Sequence, residues 1–284
     1  MKVEMFFDEG QTFTLSYIIY DETTRDAVVI DPVLDLDTTP WRTHTDSVER
    51  LCAFIGDQSL RVHWILDTHV HADHLSGAAE LKRRIQAPFA IGDNIRLVQE
   101  IFSGIFNFSN FPCDGSQFDR LLKDGDVLDA GSLQVEVMHT PGHTPACLTY
   151  RIGDALFTGD VLFAPDVGVA RCDFPKGSAR DLYRSVTGRL YTLPDETPVY
   201  VGHDYPQGRE LQYQTTIGES KQHNVDLPGD LDEDTFVSRI TERDAGLSAP
   251  RLLLPSLQVN IRAGLLPEPE SNATRYLKIP LNFL

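Results

Sequence analysis

The chain is short of positive charge. It sets 25 Lys and Arg against 42 Asp and Glu, a formal net charge of −17. Such a surface repels nucleic-acid backbones and anionic lipid, so neither is an expected partner, and an anionic substrate would need a local basic group working against the field. Long apolar runs are also missing. No stretch reaches the roughly 18 apolar residues of a membrane span. The opening MKVEMFFDEG has no basic segment leading into a long apolar one, so no export signal is expected and the expected location is cytoplasmic. Cysteine is sparse: Cys52, Cys113, Cys147 and Cys172 are scattered with no C-x-x-C pair, which reads as reduced thiols rather than a disulfide framework. Internal repeats and low-complexity tracts are absent. The Asn272-Ala273-Thr274 sequon, without secretion, reads as chance.

What is present is enough for one large core. The 284 residues are 41% hydrophobic, and the pattern alternates between strand and helix. Thr12–Tyr20, Ala27–Ile30, Val62–Leu66, Leu133–Met138, Ala146–Ile152, Leu156–Thr158 and Val199–Val201 read as strands. Helical spacing runs over Thr45–Ile55, Asp73–Ile85, Asn94–Phe102, Ser178–Leu190 and Asp232–Arg243. Gly104–Asp126 reads as a loop rich in Phe and Gly, and the apolar tail Tyr276–Leu281 should pack. Strands in runs with helices interspersed predict an α/β molecule of two mixed sheets with helices outside. Residues 1–205 would form the catalytic core, and 206–284 an extension packed on it rather than an independent domain.

The densest chemistry lies in Thr68-His69-Val70-His71-Ala72-Asp73-His74, directly after an apolar strand. Alternation puts His69 and His71 on one side of an extended segment, and a helix start would fold Asp73 and His74 back toward the same point. Imidazole and carboxylate are ligands for Zn, Fe and Mn. A lone histidine would more simply be a satisfied core residue, but four ligand types so close argue against that. Downstream, His143 follows a Pro-Gly turn, Asp160 follows Gly159 at a strand end, and His203 follows Gly202 at another. His139 sits on the strand side and reads as structural or supporting. Asp31, beside Pro32, reads as a turn residue supporting the metal loop.

The order H-x-H-x-D-H, P-G-H-T, G-D and G-H resembles the metallo-β-lactamase superfamily, over roughly Met1 to Asp204. That resemblance implies an αββα sandwich of two mixed β-sheets flanked by helices, with metal at one edge. Further segments narrow it: Arg171-Cys172-Asp173-Phe174, Leu182-Tyr183-Arg184-Ser185, His203-Asp204-Tyr205, Asn260-Ile261-Arg262-Ala263-Gly264 and the ending Arg275–Pro280 resemble the persulfide dioxygenases. The resemblance implies one Fe(II) per chain on His69, His143 and Asp160, with glutathione persulfide and O2 as substrates and sulfite and glutathione as products. His71, Asp73, His74 and His203 would then support those ligands, or hold a second metal. A homodimer is a family expectation. Arg171 and Arg262 are substrate-binding candidates, with a salt bridge to Asp173 or Asp204 as the plainer reading of Arg171. Tyr205 is a pocket candidate whose plainer reading is packing. Cys172 is not read as catalytic.

The alternative is a binuclear Zn(II) hydrolase of glutathione thioesters, like glyoxalase II, using all seven ligand residues. A non-enzymatic binding role is disfavoured because no ligand position is lost, and a nuclease role is opposed by the charge.

Overall fold

The computed structural model describes residues 1–9 and 11–282. In chain order it runs β1 (Lys2–Phe7), β2 (Leu15–Tyr20), β3 (Asp26–Ile30), β4 (Val33–Asp37), β5 (Arg42–His44), α1 (Asp46–Asp57), β6 (Arg61–Leu66), the two-residue β7 (Leu75–Ser76), α2 (Ala78–Ile85), β8 (Phe89–Gly92), α3 (Ile95–Ile105) and β9 (Arg120–Leu122). The second half holds β10 (Val127–Ala130), β11 (Leu133–His139), β12 (Leu148–Ile152), β13 (Ala155–Phe157), α4 (Ala179–Ser185), β14 (Pro198–Tyr200), β15 (Gln214–Thr216), α5 (Ile217–His223), α6 (Glu233–Ala245) and α7 (Leu253–Asn260). One sheet has the order β1-β2-β3-β6-β8-β9, the other β10 to β15 in sequence, and β5-β4-β7 form a small third sheet.

Strand alternation builds the layers. Leu15, Tyr17 and Ile19 of β2 with Val28 and Ile30 of β3 face Val135, Val137, Tyr150 and Phe157 of the second sheet. Their neighbours Ile18, Ala27 and Val29 face the other way, onto Val48, Leu51, Leu81 and Val98 of α1, α2 and α3. Leu182, Phe236 and Ile240 of α4 and α6 join the core that includes the second sheet. Two sheets with helices on their outer faces make the expected sandwich. Each such side chain contributes about 1.5–3 kcal/mol when fully buried.

Several local readings change. The helix expected from Asp73 begins only at Ala78, because Leu75 and Ser76 instead pair with Leu34 and Val33. The helix expected over Ser178–Leu190 is α4 followed by a wider π turn over Val186–Leu190. Its start is clean, since the Ser178 hydroxyl accepts a hydrogen bond from Asp181 N. The Gly104–Asp126 loop contains β9, which pairs in parallel with β8. Beyond Asp204, β15 completes the second sheet, while Leu257 and Ile261 pack with Ile18 and Val29. The apolar tail packs through Leu277. Tyr276, Ile279 and Leu281 are exposed.

Candidate metal centre

The strand ends carry the site. Strands β3 and β6 run parallel, as do β13 and β14, so Asp31, Asp67, Thr158 and Val201 each follow a strand leaving its sheet in the same sense as its partner. Backbone bonds sew the two edges together: Leu148 N donates to Thr68 O, Gly202 N to Gly159 O, and Leu15 N to Gly202 O. Gly159 has φ +49 and lies against Thr68, where any Cβ would collide with the threonine side chain. This close approach brings Asp160 to the histidine loop.

Asp31 organises that loop. It sits at φ +50, with Oδ1 accepting from Thr68 N at 2.7 Å and from His71 Nε2 at 3.0 Å. Oδ2 accepts from Thr68 Oγ1 at 2.8 Å. The threonine hydroxyl has then spent its hydrogen, so at 3.1 Å it accepts from His69 Nδ1. Each of the other histidines is likewise tied by one nitrogen: His143 Nδ1 to Arg171 O at 2.7 Å, His203 Nδ1 to Phe13 O at 3.1 Å, and His74 Nδ1 to Leu75 O at 3.4 Å.

The remaining nitrogens converge. Asp160 Oδ2 lies 3.9 Å from His69 Nε2 and 3.8 Å from His143 Nε2. One ligand atom from each of His69, His143 and Asp160 lies within 4.8 Å of the other two, and the same holds for His71, Asp73 and His74. His203 Nε2 stands between the groups, 3.3 Å from Asp160 Oδ1 and 3.4 Å from Asp73 Oδ2. His69 Nε2, His71 Nδ1, His74 Nε2 and Asp160 Oδ1 are buried with no hydrogen-bond partner. Unpartnered ligand atoms in two adjoining buried groups, the imidazoles oriented by a bond from the far side of the ring, fit transition-metal binding.

Electrostatics agree with ligand chemistry at His69 and His74. Burial, reinforced by the neighbouring imidazoles, holds His69 well below the usual histidine range, so its ring is neutral. Burial likewise takes His74 down to about 3 against the pull of Asp73. Burial also opposes protonation of His71, but the Asp31 carboxylate overrides it and raises the group to about 10. Burial raises Asp160, with His203 and His143 pulling the other way.

The sequence candidates fall in different places. Arg171 lines the metal cavity, but its guanidinium grips Asp173 at 2.5 and 2.6 Å and Ser248 O at 2.7 Å. Tyr205 stacks parallel on His203, ring centroids 6.0 Å apart, and lines the same cavity. Arg262 is away from it, its guanidinium 4.6 and 4.8 Å from the rings of Phe108 and Phe111. His139 bonds Pro145 O and Asn94, apart from the cluster. The Cys172 thiol is buried, and burial pushes it up, away from reactivity.

Asn260 received no role from sequence reasoning beyond its place in a motif, yet it clamps the metal loop. Its Nδ2 donates to His71 O and His74 O, both at 2.8 Å, and its Oδ1 accepts from Ser76 N at 2.7 Å. This clamp, not a helix, returns Asp73 and His74 to the centre. Asn260→Ala is expected to weaken metal binding by roughly 10–100-fold, the usual cost of losing a group behind the ligands. Competition against a chelator measures it, and unchanged affinity would refute the clamp.

Residues 10–203 match the family model of the metallo-β-lactamase superfamily. The chain is 50% identical, over 99% of each protein, to a Burkholderia pseudomallei protein named a probable metallo-hydrolase. It is 48% identical to glyoxylase B2 of Dictyostelium discoideum, over 100% of this chain and 98% of that one. Human mitochondrial persulfide dioxygenase ETHE1 is 34% identical over 71% of this chain and 67% of its own. The crystal structure of ETHE1 from Myxococcus xanthus covers 93% of this chain and 100% of that one, with TM-score 0.75 and 34% identity. Among the described residues no helix is long and apolar enough to cross a membrane.

Proposed function

This chain belongs to the metallo-β-lactamase superfamily, and we propose that within it the protein is an iron-dependent persulfide dioxygenase, oxidising a thiol persulfide such as glutathione persulfide with O2. The balance is RS–SH + O2 + H2O → RSH + H2SO3. The S–S bond breaks, the outer sulfur supplies the electrons that reduce O2 and leaves as sulfite, and the carrier thiol is regenerated. The observation that carries the reading is the separate convergence of His69, His143 and Asp160. Two imidazoles and one carboxylate form the facial set associated with non-haem Fe(II) oxygenases, which leaves coordination positions open. Likeness to the named persulfide dioxygenase adds support.

In this reading His69, His143 and Asp160 hold the iron, which supplies the redox-active centre that lets O2 react with a sulfur anion. Thr68 and Asp31 fix the His69 tautomer. His71, whose Nε2 is held by Asp31, is oriented with its other nitrogen unpartnered beside the centre. His203 orients Asp160 and Asp73. Phe163, edge-on to His203 at 6.0 Å, and the stacked Tyr205 line the approach.

A hydrolase reading has its own observation. Asp160 turns Oδ2 to His69 and His143 and Oδ1 to His203, so its two oxygens would be available to a two-metal set that would activate water for hydrolysis. The relatives named glyoxylase and metallo-hydrolase point the same way. Product analysis separates the two. The dioxygenase forms one sulfite and one glutathione for each O2 consumed from glutathione persulfide. Cleavage of a glutathione thioester with no use of oxygen would overturn it.

A further inference from the structure

Residues 169–172 form an irregular segment along the metal cavity. Val169, Ala170 and Cys172 are buried, yet among the described residues no backbone group bonds to the backbone of 169–172. Buried peptide groups need partners, and side chains supply them here. Val169 N donates to Asp226 Oδ2 at 3.1 Å. Arg243 donates to Val169 O at 3.2 Å and to Ala170 O at 3.1 Å. Cys172 N donates to Asp244 Oδ2 at 2.6 Å. Asp226, Arg243 and Asp244 all lie outside residues 10–203, the part that matches the superfamily model.

The last of these bonds reaches a metal-site histidine through one peptide unit. The carbonyl of Arg171 and the N–H of Cys172 belong to the same planar trans group, so they point in opposite directions. The N–H ends on Asp244. The carbonyl accepts from His143 Nδ1 at 2.7 Å. A carboxylate on the N–H draws negative charge toward the carbonyl, because hydrogen bonds in a chain polarise one another. A carboxylate bonded directly to a ligating histidine fixes its tautomer, aims its ring and raises the basicity of its far nitrogen. Asp244 does the same at one remove. Helix stability does not account for it. Asp244 is buried in the last turn of α6, where the helix dipole disfavours a negative charge. Its two oxygens are instead used by Cys172 N and, at 3.0 Å, by Arg243 Nε.

We propose that Asp244 is a positioning residue for His143, acting through the Arg171–Cys172 peptide, and that it sets the metal affinity of the His69, His143 and Asp160 group. The His71, Asp73 and His74 group is held by Asn260 instead. The inference rests on the ligand assignment, and not on whether the metal serves oxidation or hydrolysis.

Anaerobic Fe(II) titration against a chelator, with proton NMR of the iron-loaded protein, tests it in Asp244→Ala, Asp244→Asn and Ile240→Ala. Asp244→Ala is expected to weaken iron binding roughly 10–100-fold. In the unaltered protein the hyperfine-shifted Nδ1–H lines of His69 and His143 are expected to exchange slowly into deuterated water. In Asp244→Ala the His143 line alone is expected to exchange fast. Asp244→Asn keeps an acceptor for Cys172 N but loses the charge, so it is expected to recover most of the affinity and to shift the His143 line without moving that of His69. Ile240→Ala loosens α6 from the core without touching the segment, so the melting temperature should fall and iron affinity should hold. Unchanged affinity in Asp244→Ala, or an equal loss in Ile240→Ala, overturns the positioning role and leaves the ligands standing. An unaltered protein that binds no iron overturns the ligand assignment, and the positioning with it. Where Asp244→Ala fails to fold, the other samples decide: a fast-exchanging His143 line in the unaltered protein, or one unmoved in Asp244→Asn, overturns the proposal.

Discussion

Replacing His69 or Asp160 with alanine is expected to strip the metal and lower oxygen uptake about 10³-fold, some 4 kcal/mol of barrier. The reason is the sharing of one point. Asp160 Oδ2 faces both His69 and His143 at just under 4 Å, so removing either partner leaves two ligands for an ion that needs three. Thr68 and Asp31 hold the His69 ring from behind. The same substitution should not cost metal-free stability. His69 Nε2 and Asp160 Oδ1 are buried without partners, and an unpaired buried polar atom costs about 1–3 kcal/mol. Removing one relieves that strain, as when function is held at the expense of stability. His139→Ala serves as the control. Its ring bonds Pro145 and Asn94 outside the cluster, so metal content and turnover should persist. Elemental analysis and melting temperature of the three variants check all of this, and a His69→Ala protein with full metal would refute the ligand assignment.

Asp31→Ala is expected to be the most destabilising change near the site. Asp31 is buried, and its two oxygens receive Thr68 N, Thr68 Oγ1 and His71 Nε2. Without it Thr68 N, Thr68 Oγ1 and His71 Nε2 lose their shared acceptor, and buried polar groups left unpaired cost about 1–3 kcal/mol each, roughly 3–5 kcal/mol together. In a chain of this size that lowers the melting temperature by roughly 10 °C. Asp31→Asn keeps the shape and one acceptor oxygen, so its loss should be smaller. Metal affinity should fall with both, because the Thr68–His69 relay ends on this carboxylate. A melting temperature unchanged in Asp31→Ala would show that the loop is held elsewhere.

Residue order carried much of the site. The H-x-H-x-D-H run, Gly159-Asp160 and Gly202-His203 all lie after strands, because a rigid sheet edge is where side chains can be held in place by local backbone. The sheets were legible where alternation was strong, as in β2 and β11. Short pieces escaped: β7 has two residues and β9 three, too few for a period to register. The helix expected at Asp73 failed because a distant asparagine captured the backbone that a helix would have used. Arg171 shows the limit for substrate groups. Whether an arginine is free or already paired with Asp173 is a matter of side-chain geometry, which spacing does not encode. Arg262, near the end of the chain, is packed by aromatic residues about 150 positions earlier, a contact set only by the tertiary fold.

The central claim is one iron on His69, His143 and Asp160 that consumes oxygen. Its most direct measurement is metal content of anaerobically purified protein together with oxygen consumption on adding a persulfide to the same sample. The account predicts about one iron per chain and uptake proportional to iron occupancy. About two zinc ions per chain, no oxygen uptake and hydrolysis of a glutathione thioester would contradict it.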